Sequence, residues 1–229
     1  MAEKQQMPPA EDGGNSVRMV STMGIIGLLA GALIVLTYQV TFPVIQKNKA
    51  AALERAIFEV VPGATSKRTY QVSGDGLEIL EGENAAVRKY YAAYDSTGQL
   101  TGVAIEAAGQ GFQDILRILY GYDPDCQCIV GIKVLESRET PGLGDKIEKD
   151  ENFLKNFIAL DATLADDGAT MAHPIEMVKF GQKTDAWQVE AITGATISSR
   201  AVANILRVSS SESVPFLTDN LDTIEGDTP

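Results

Sequence analysis

Between Arg18 and Lys47 the chain carries no charged residue. An uncharged stretch this long has few physical fates. Its apolar centre, Met19 to Val40, reads MVSTMGIIGLLAGALIVLTYQV. A helix crossing a bilayer needs about 20 mostly apolar residues, so this run is long enough for one span. A cleaved signal peptide is the main rival, because Ala30-Gly31-Ala32 has the small-x-small form of a cleavage site. The apolar run continues straight past it through Leu33-Ile34-Val35-Leu36, which favours an uncleaved anchor. A buried soluble helix seldom runs so far without a charge. Gly27 and Gly31, with Gly24 nearby, form a GxxxG spacing suited to close packing against a partner helix. Lys4 and Arg18 precede the run and Lys47, Lys49 and Arg55 follow it, so the positive charges alone do not choose an orientation.

The remaining chain is acidic. Thirty-one Asp and Glu oppose 19 Lys and Arg in 229 residues, a net charge of −12. Nucleic acid selects basic surfaces, so no nucleic-acid partner is expected. An acidic domain kept soluble beside a membrane fits better. Residues 1–17 read as a flexible polar tail, and the segment after 208 reads as an acidic one.

Local patterns predict the rest. Lys47 to Val61 reads as an amphipathic helix with Leu53, Ile57, Val60 and Val61 on one face, ended by Pro62-Gly63. Val87–Ala93 and Leu100–Ala107 read as strands around a hairpin loop at 95–99. Tyr120–Asp125 reads as a turn and Cys126–Leu135 as a strand, followed by a helix over Asn152–Leu160 and strands near Val178 and Val189. Apolar residues at 197, 201, 202, 205 and 206 give a final helix ending near Arg207. Strands and helices do not alternate regularly. The predicted class is therefore α+β, with a mainly antiparallel sheet and flanking helices after the transmembrane helix.

Cys126-Gln127-Cys128 leaves three readings: two buried strand cysteines, which we favour, a disulfide, or a metal cluster shared with a partner. Neighbouring same-face positions on a flat strand are poor geometry for a disulfide. Structural zinc usually takes wider spacing and more ligands, and the one histidine, His173, is far along the chain. No metal site is therefore assigned. A Gly-x-Ser-x-Gly elbow, a Walker A loop and a dinucleotide glycine fingerprint are all missing, so neither hydrolysis nor NADH binding is expected. No side chain is assigned a catalytic role.

Two segments carry more specific chemistry. One is Glu190-Ala191-Ile192-Thr193-Gly194-Ala195-Thr196-Ile197-Ser198-Ser199. A loop opens here into the final helix, with Thr193 or Thr196 placed to cap it. A helix N-terminus presents unbonded N–H groups and partial positive charge, which suits a phosphate. Gly194 and Ala195 leave room for a bulky group near the backbone. The second segment is Glu139-Thr140-Pro141-Gly142-Leu143-Gly144, a loop shaped by one proline and two glycines. A lookalike, Pro62-Gly63-Ala64-Thr65, reads as a plain turn.

Together these segments resemble the FMN-binding domain family. Its attachment pattern is Asp, two variable residues, Ser or Thr, Gly, Ala, then an acceptor Thr or Ser. Here Glu190 stands at the acidic position and Thr196 at the acceptor. The resemblance implies FMN joined covalently to Thr196 through a phosphodiester, with Thr193, Gly194, Ala195 and Ile197 around it. Glu139, Thr140, Pro141, Gly142, Leu143 and Gly144 would lie against the flavin ring, and Lys179 falls where relatives often place a basic residue. The best fit within the family is the branch that supplies the G subunit of Rnf ion-translocating complexes. The branch that supplies the C subunit of sodium-translocating NADH:quinone reductases is the alternative. A membrane-anchored binding module without flavin and a pure scaffold are the others.

The resemblance further implies an electron-carrying redox subunit, incomplete as an enzyme by itself, in a translocase of the bacterial inner membrane. Its partners would be the membrane, iron–sulfur and flavin subunits of the complex and a flavin transferase for maturation. The implied layout is a cytoplasmic tail at 1–18, a single transmembrane helix at 19–40 and a connecting helix at 41–62. An FMN-binding domain on the periplasmic side would follow at 63–208, with an acidic tail at 209–229.

Overall fold

Alternation along the central strands sorts side chains onto two faces of one sheet. In a computed structural model, which describes residues 13–74, 76–80 and 88–226, the chain forms α1 (Gly13–Val60), β1 (Ser66–Ser73), β2 (Gly76–Ile79), β3 (Lys89–Tyr94), β4 (Leu100–Gln110), β5 (Ile115–Asp123), β6 (Cys128–Glu136), α2 (Glu151–Leu154), β7 (Leu160–Asp161), β8 (Glu176–Val178), β9 (Gln188–Glu190), α3 (Thr196–Asp219) and α4 (Leu221–Gly226). Seven strands make an antiparallel sheet in the order β2-β1-β3-β4-β5-β6-β7. β8 and β9 pair separately and in parallel. The expected α+β class with a mainly antiparallel sheet is what forms.

Two compact units divide the chain at Ala51/Ala52. In the first, the helix that starts at Gly13 carries the uncharged run with every described side chain from 16 to 50 exposed. Among the described residues it is the one helix long and apolar enough to cross a membrane. From Met19 to Val40 it rises roughly 33 Å at 1.5 Å per residue, enough for the hydrocarbon core of a bilayer. No break separates a spanning helix from a connecting one: α1 runs on through Pro43 to Val60. The expected tail at 1–17 lies largely outside the described residues, as does Val87.

In the second unit the two faces of the sheet are buried differently. Tyr90, Ala92 and Tyr94, with Val103, Ile105, Ile118, Tyr120 and Tyr122, point into the main core, which α3 covers. The residues that alternate with them, Tyr91, Ala93, Ala104 and Leu119, pack with Ala56, Ile57 and Val60 from the end of α1 and with Val61 just after it. This is the period-2 rule applied to a sheet buried on both sides. A Cβ at Gly131 would lie 2.7 Å from the Val60 carbonyl oxygen, so glycine lets the helix end sit on the sheet.

Several expectations are corrected. The turn expected at 120–125 is mostly strand: β5 extends to Asp123, and Tyr120 and Tyr122 are fully buried. The helix expected over 152–160 is short and gives way to a 3-10 turn at Lys155–Phe157 and then to β7. The acidic tail expected from 209 is instead part of the fold. α3 continues to Asp219, and Val214, Leu217 and Ile224 are buried in the main core. Buried serines at 209, 210 and 213 occupy the inward positions that mark a helix face when they are apolar. Cys126 and Cys128 are joined as a disulfide, against the preference for two free strand cysteines. Only Cys128 is in β6; Cys126 sits in the preceding turn, and Gln127 between them takes φ 50. That left-handed residue breaks the flat strand and brings the two Cα atoms to 5.2 Å, well inside bridging range. With both sulfurs bonded to each other, neither is a thiolate ligand for a metal.

Candidate functional site

β9 ends at Glu190, and the chain turns through Ala191–Ala195 into α3. Gly194 makes that turn at φ 87, a conformation costly to any residue with a Cβ. Neither expected cap is used. Ala195 is the N-cap and makes no side-chain bond, while Thr196 is the first helical residue. The helix ladder begins at Ser199, whose N–H donates to the Ala195 carbonyl. Thr196, Ile197 and Ser198 thus stand on the first turn, where N–H groups have no intrahelical acceptor. Ser199 is fully buried and fixes the turn from inside. Its Oγ accepts from Ile192 N–H at 3.1 Å and donates to the Ala195 carbonyl at 2.9 Å.

The 139–144 loop is carried to the same place by β6. Its turn closes through Leu143 N–H to the Thr140 carbonyl and through Gly142 N–H to the Asp145 carboxylate. Gly142 adopts φ 78. Glu139 is buried, at 7% exposure, and joins the two expected segments. One carboxylate oxygen accepts from Phe112 N–H at 2.7 Å, and the other accepts from the Ser198 hydroxyl. A Cβ at Gly144 would come 2.7 Å from Ser198 Oγ and press on the Glu139 side chain as well. Glycine at 144 therefore permits the carboxylate to reach the helix. Gln113 adds a bond from its side-chain amide to Thr140 Oγ1.

Two clefts flank Gly194. One, of about 330 Å³, is lined by Phe112, Glu139, Thr140, Leu143, Gly144 and the 194–198 segment. Phe112, Leu143 and Ile197 are more than half exposed around it, giving it apolar walls beside a polar helix start. Its size falls at the low end for ligand pockets, which run about 300–1,000 Å³. The second, of about 270 Å³, is lined by Lys146, Asp150, Asn152, Phe153, Phe180 and residues 190–193. Thr193 faces the second cleft and Thr196 the first. Pro141 and Gly142 are exposed in the loop that borders the first.

Lys179 is exposed and lines neither cleft; Lys146 is the cationic residue on a cleft wall. Sequence reasoning does not single out Lys146, although it directly follows the loop's Gly144-Asp145. Glu190 accepts from Gly181 N–H, which holds the 179–182 turn against β9. Buried Asn156 secures the same strand, accepting from Glu190 N–H at 3.0 Å and donating to the Glu190 carbonyl at 3.2 Å. Lys183 donates to Asn156 Oδ1 at 3.3 Å; desolvation pulls its ammonium below the usual lysine range, and Glu190 opposes that shift. The lookalike Pro62–Thr65 is a turn after α1. There Thr65 N–H donates to the Tyr94 carbonyl at 2.7 Å.

The site accommodates a flavin phosphate on the chemistry present. The first turn of α3 offers unpaired N–H donors, and nothing lies within 4 Å of a Cβ built at Gly194 or Gly142. Apolar and aromatic walls adjoin that helix start. The model of the FMN-binding domain family matches residues 111–209, which span the 139–144 loop and the start of α3. The G subunit of the ion-translocating oxidoreductase complex from Methanosarcina acetivorans is 32% identical over 195 residues, covering 85% of this chain and 93% of that protein. Its counterpart from Aliivibrio fischeri is 30% identical, covering 81% and 84%. The crystal structure of Shewanella oneidensis NqrC shares the fold at a TM-score of 0.62, with 18% identity over 79% of this chain and all of that one. The chain belongs to the family of G subunits of ion-translocating oxidoreductase complexes and carries their FMN-binding domain.

Proposed function

We propose that the chain is the electron-carrying flavoprotein subunit of a membrane-bound ion-translocating oxidoreductase complex, with FMN joined to Thr196 Oγ by a phosphodiester. The observation that supports this most is the place of Thr196. It opens a helix of 24 residues beside unbonded N–H groups and on the edge of an apolar cleft. FMN when bound supplies the redox chemistry, and the protein supplies position and electrostatics. The α3 N–H groups would hold the phosphate charge, and Gly194, with nothing within 4 Å of its Cβ position, would keep the approach to Thr196 open. Phe112, Leu143 and Ile197 would shield a bound ring from water, and Glu139 fixes the loop against the helix. A separate flavin transferase would make the bond from FAD, forming Thr196 Oγ–P and releasing AMP.

The apolar run of α1 serves as the anchor, and the flavin domain faces the extracytoplasmic side of the membrane. The disulfide supports that side, since such bonds persist in oxidising compartments. Ion movement falls to partner subunits, because a single uncharged helix offers no path for ions. The test is flavin fluorescence of the denatured protein in a gel, after expression with its transferase. Wild type and Thr65→Ala should fluoresce, and Thr196→Ala should be dark. A fluorescent Thr196→Ala band would place the linkage elsewhere.

A further inference from the structure

Beyond its bearing on the compartment, the Cys126–Cys128 disulfide has no part in the reading above. It sits at the turn between β5 and β6, and the 139–144 loop follows the opposite end of β6. At about 3.3 Å per residue, β6 separates them by roughly 25 Å. As a structural brace the bond is weak. The chain-entropy contribution of a disulfide grows with the loop it closes, and this one encloses a single residue in a turn the hairpin already makes.

Three other observations give it a different character. Cys126 is exposed and Cys128 is buried at 8%, so an external thiolate has one sulfur to attack. Gln127 is the one non-glycine with positive φ among the described residues, a conformation that persists only where its surroundings enforce it. Gln127 held this way clamps the next segment. Its carbonyl accepts from Ala162 N–H at 2.9 Å, and its side-chain Oε1 accepts from Leu164 N–H at 3.3 Å. These bonds fix β7, which pairs with β6 only at Cys128–Asp161 and Ile129–Leu160.

We propose that Cys126–Cys128 is a thiol–disulfide exchange site for an external dithiol, and that its redox state sets the order of the 160–164 segment through Gln127. One thiolate of the dithiol attacks Cys126 Sγ. A mixed disulfide forms and Cys128 leaves as thiolate. The second thiol of the reductant then attacks its own sulfur in the mixed disulfide and releases Cys126. The dithiol leaves as a disulfide, and two electrons and two protons stay on the pair of cysteines. Without the bridge Gln127 is free to relax to negative φ, and both acceptors leave Ala162 and Leu164.

The test uses the full-length protein in detergent with dithiothreitol as the probe. Alkylation and peptide mass spectrometry follow the opening of the bond, and hydrogen exchange follows the amides. Opening in the folded protein should run within about tenfold of the rate in protein unfolded by urea. A bond that opened only through global unfolding would be slower by about a thousandfold or more, and that result would overturn the proposal. On reduction, Ala162 and Leu164 should lose at least about tenfold in protection, while Val103 and Ile105 in the central strand keep theirs. Unchanged protection at 162 and 164 in the reduced protein would overturn the coupling through Gln127. Neither measurement depends on bound flavin.

Discussion

At the scale of single residues, the site depends on a carboxylate. Glu139 reads in the sequence as one member of a flavin loop. Its burial, and its reach across to Ser198 on another element, come from a fold in which β6 ends beside the start of α3. Glu139→Ala would remove both acceptor oxygens and leave Phe112 N–H and the Ser198 hydroxyl without their partner. Leaving buried donors unpaired costs about 1–3 kcal/mol, so urea unfolding of the variant should show a loss of that size. Thr140→Val breaks only the Gln113 bond and should lose about 1 kcal/mol or less. Equal losses would mean that Glu139 is one surface contact among others. Gly142 makes a separate contribution. Valine at its φ of 78 is strained by about 1–3 kcal/mol and distorts the loop. Gly142→Val should keep its covalent flavin yet shift the flavin reduction potential or slow turnover of the complex. A variant with normal potential and normal turnover would reduce the loop to a plain turn. The segments holding Thr196 and the 139–144 loop are legible in the sequence because both are short and marked by composition. Lys179 is a poor guide to the clefts, because its place just after β8 says nothing about which side of the turn a lysine takes. The lysine that does line a wall, Lys146, carries no distinguishing pattern.

At the scale of elements, α3 shows where hydropathy patterning stops working. Its first half follows an apolar 3.6-residue spacing and is legible as a helix. The second half keeps the spacing but fills it with Ser209, Ser210 and Ser213 before returning to Val214 and Leu217. Serine runs and Pro215 imitate a solvated tail. The buried tyrosines explain why hydroxyl-bearing residues suit this face. Tyr120 OH bonds Ser209 Oγ at 2.9 Å, and Tyr94 OH donates to the Ile224 carbonyl at 2.8 Å. Removing residues 209–229 should therefore unfold the domain rather than trim it, as circular dichroism and proteolysis would reveal. Leu217→Ala should cost about 2–5 kcal/mol, the range for truncating a fully buried leucine. A truncated domain with native stability would return the segment to the status of a tail. β1 is hidden in the sequence for the opposite reason. Ser66–Ser73 is polar along most of its length and buries only Tyr70 fully, so no alternation announces it. The disulfide is illegible for a third reason: a flat strand is the default for such a pattern, and Gln127 turns left-handed instead.

At the scale of the whole molecule, an exposed apolar helix and a packed α+β domain are joined in one chain, and composition alone separates them. The uncharged run from 19 to 46 is the strongest signal in the sequence. It should remain in the mature protein, so N-terminal sequencing of membrane-extracted material should begin ahead of Met19. A start near Leu33 would reveal cleavage after Ala32 and remove the anchor. The proposed electron carrier depends above all on one bond, between Thr196 Oγ and the flavin phosphate. Protein made with its natural transferase should be digested and the peptide that holds Thr196 weighed. An added FMN moiety on that peptide, localised to Thr196 by fragmentation, is the expected result. An unmodified Thr196 peptide in yellow, flavin-loaded protein would contradict it.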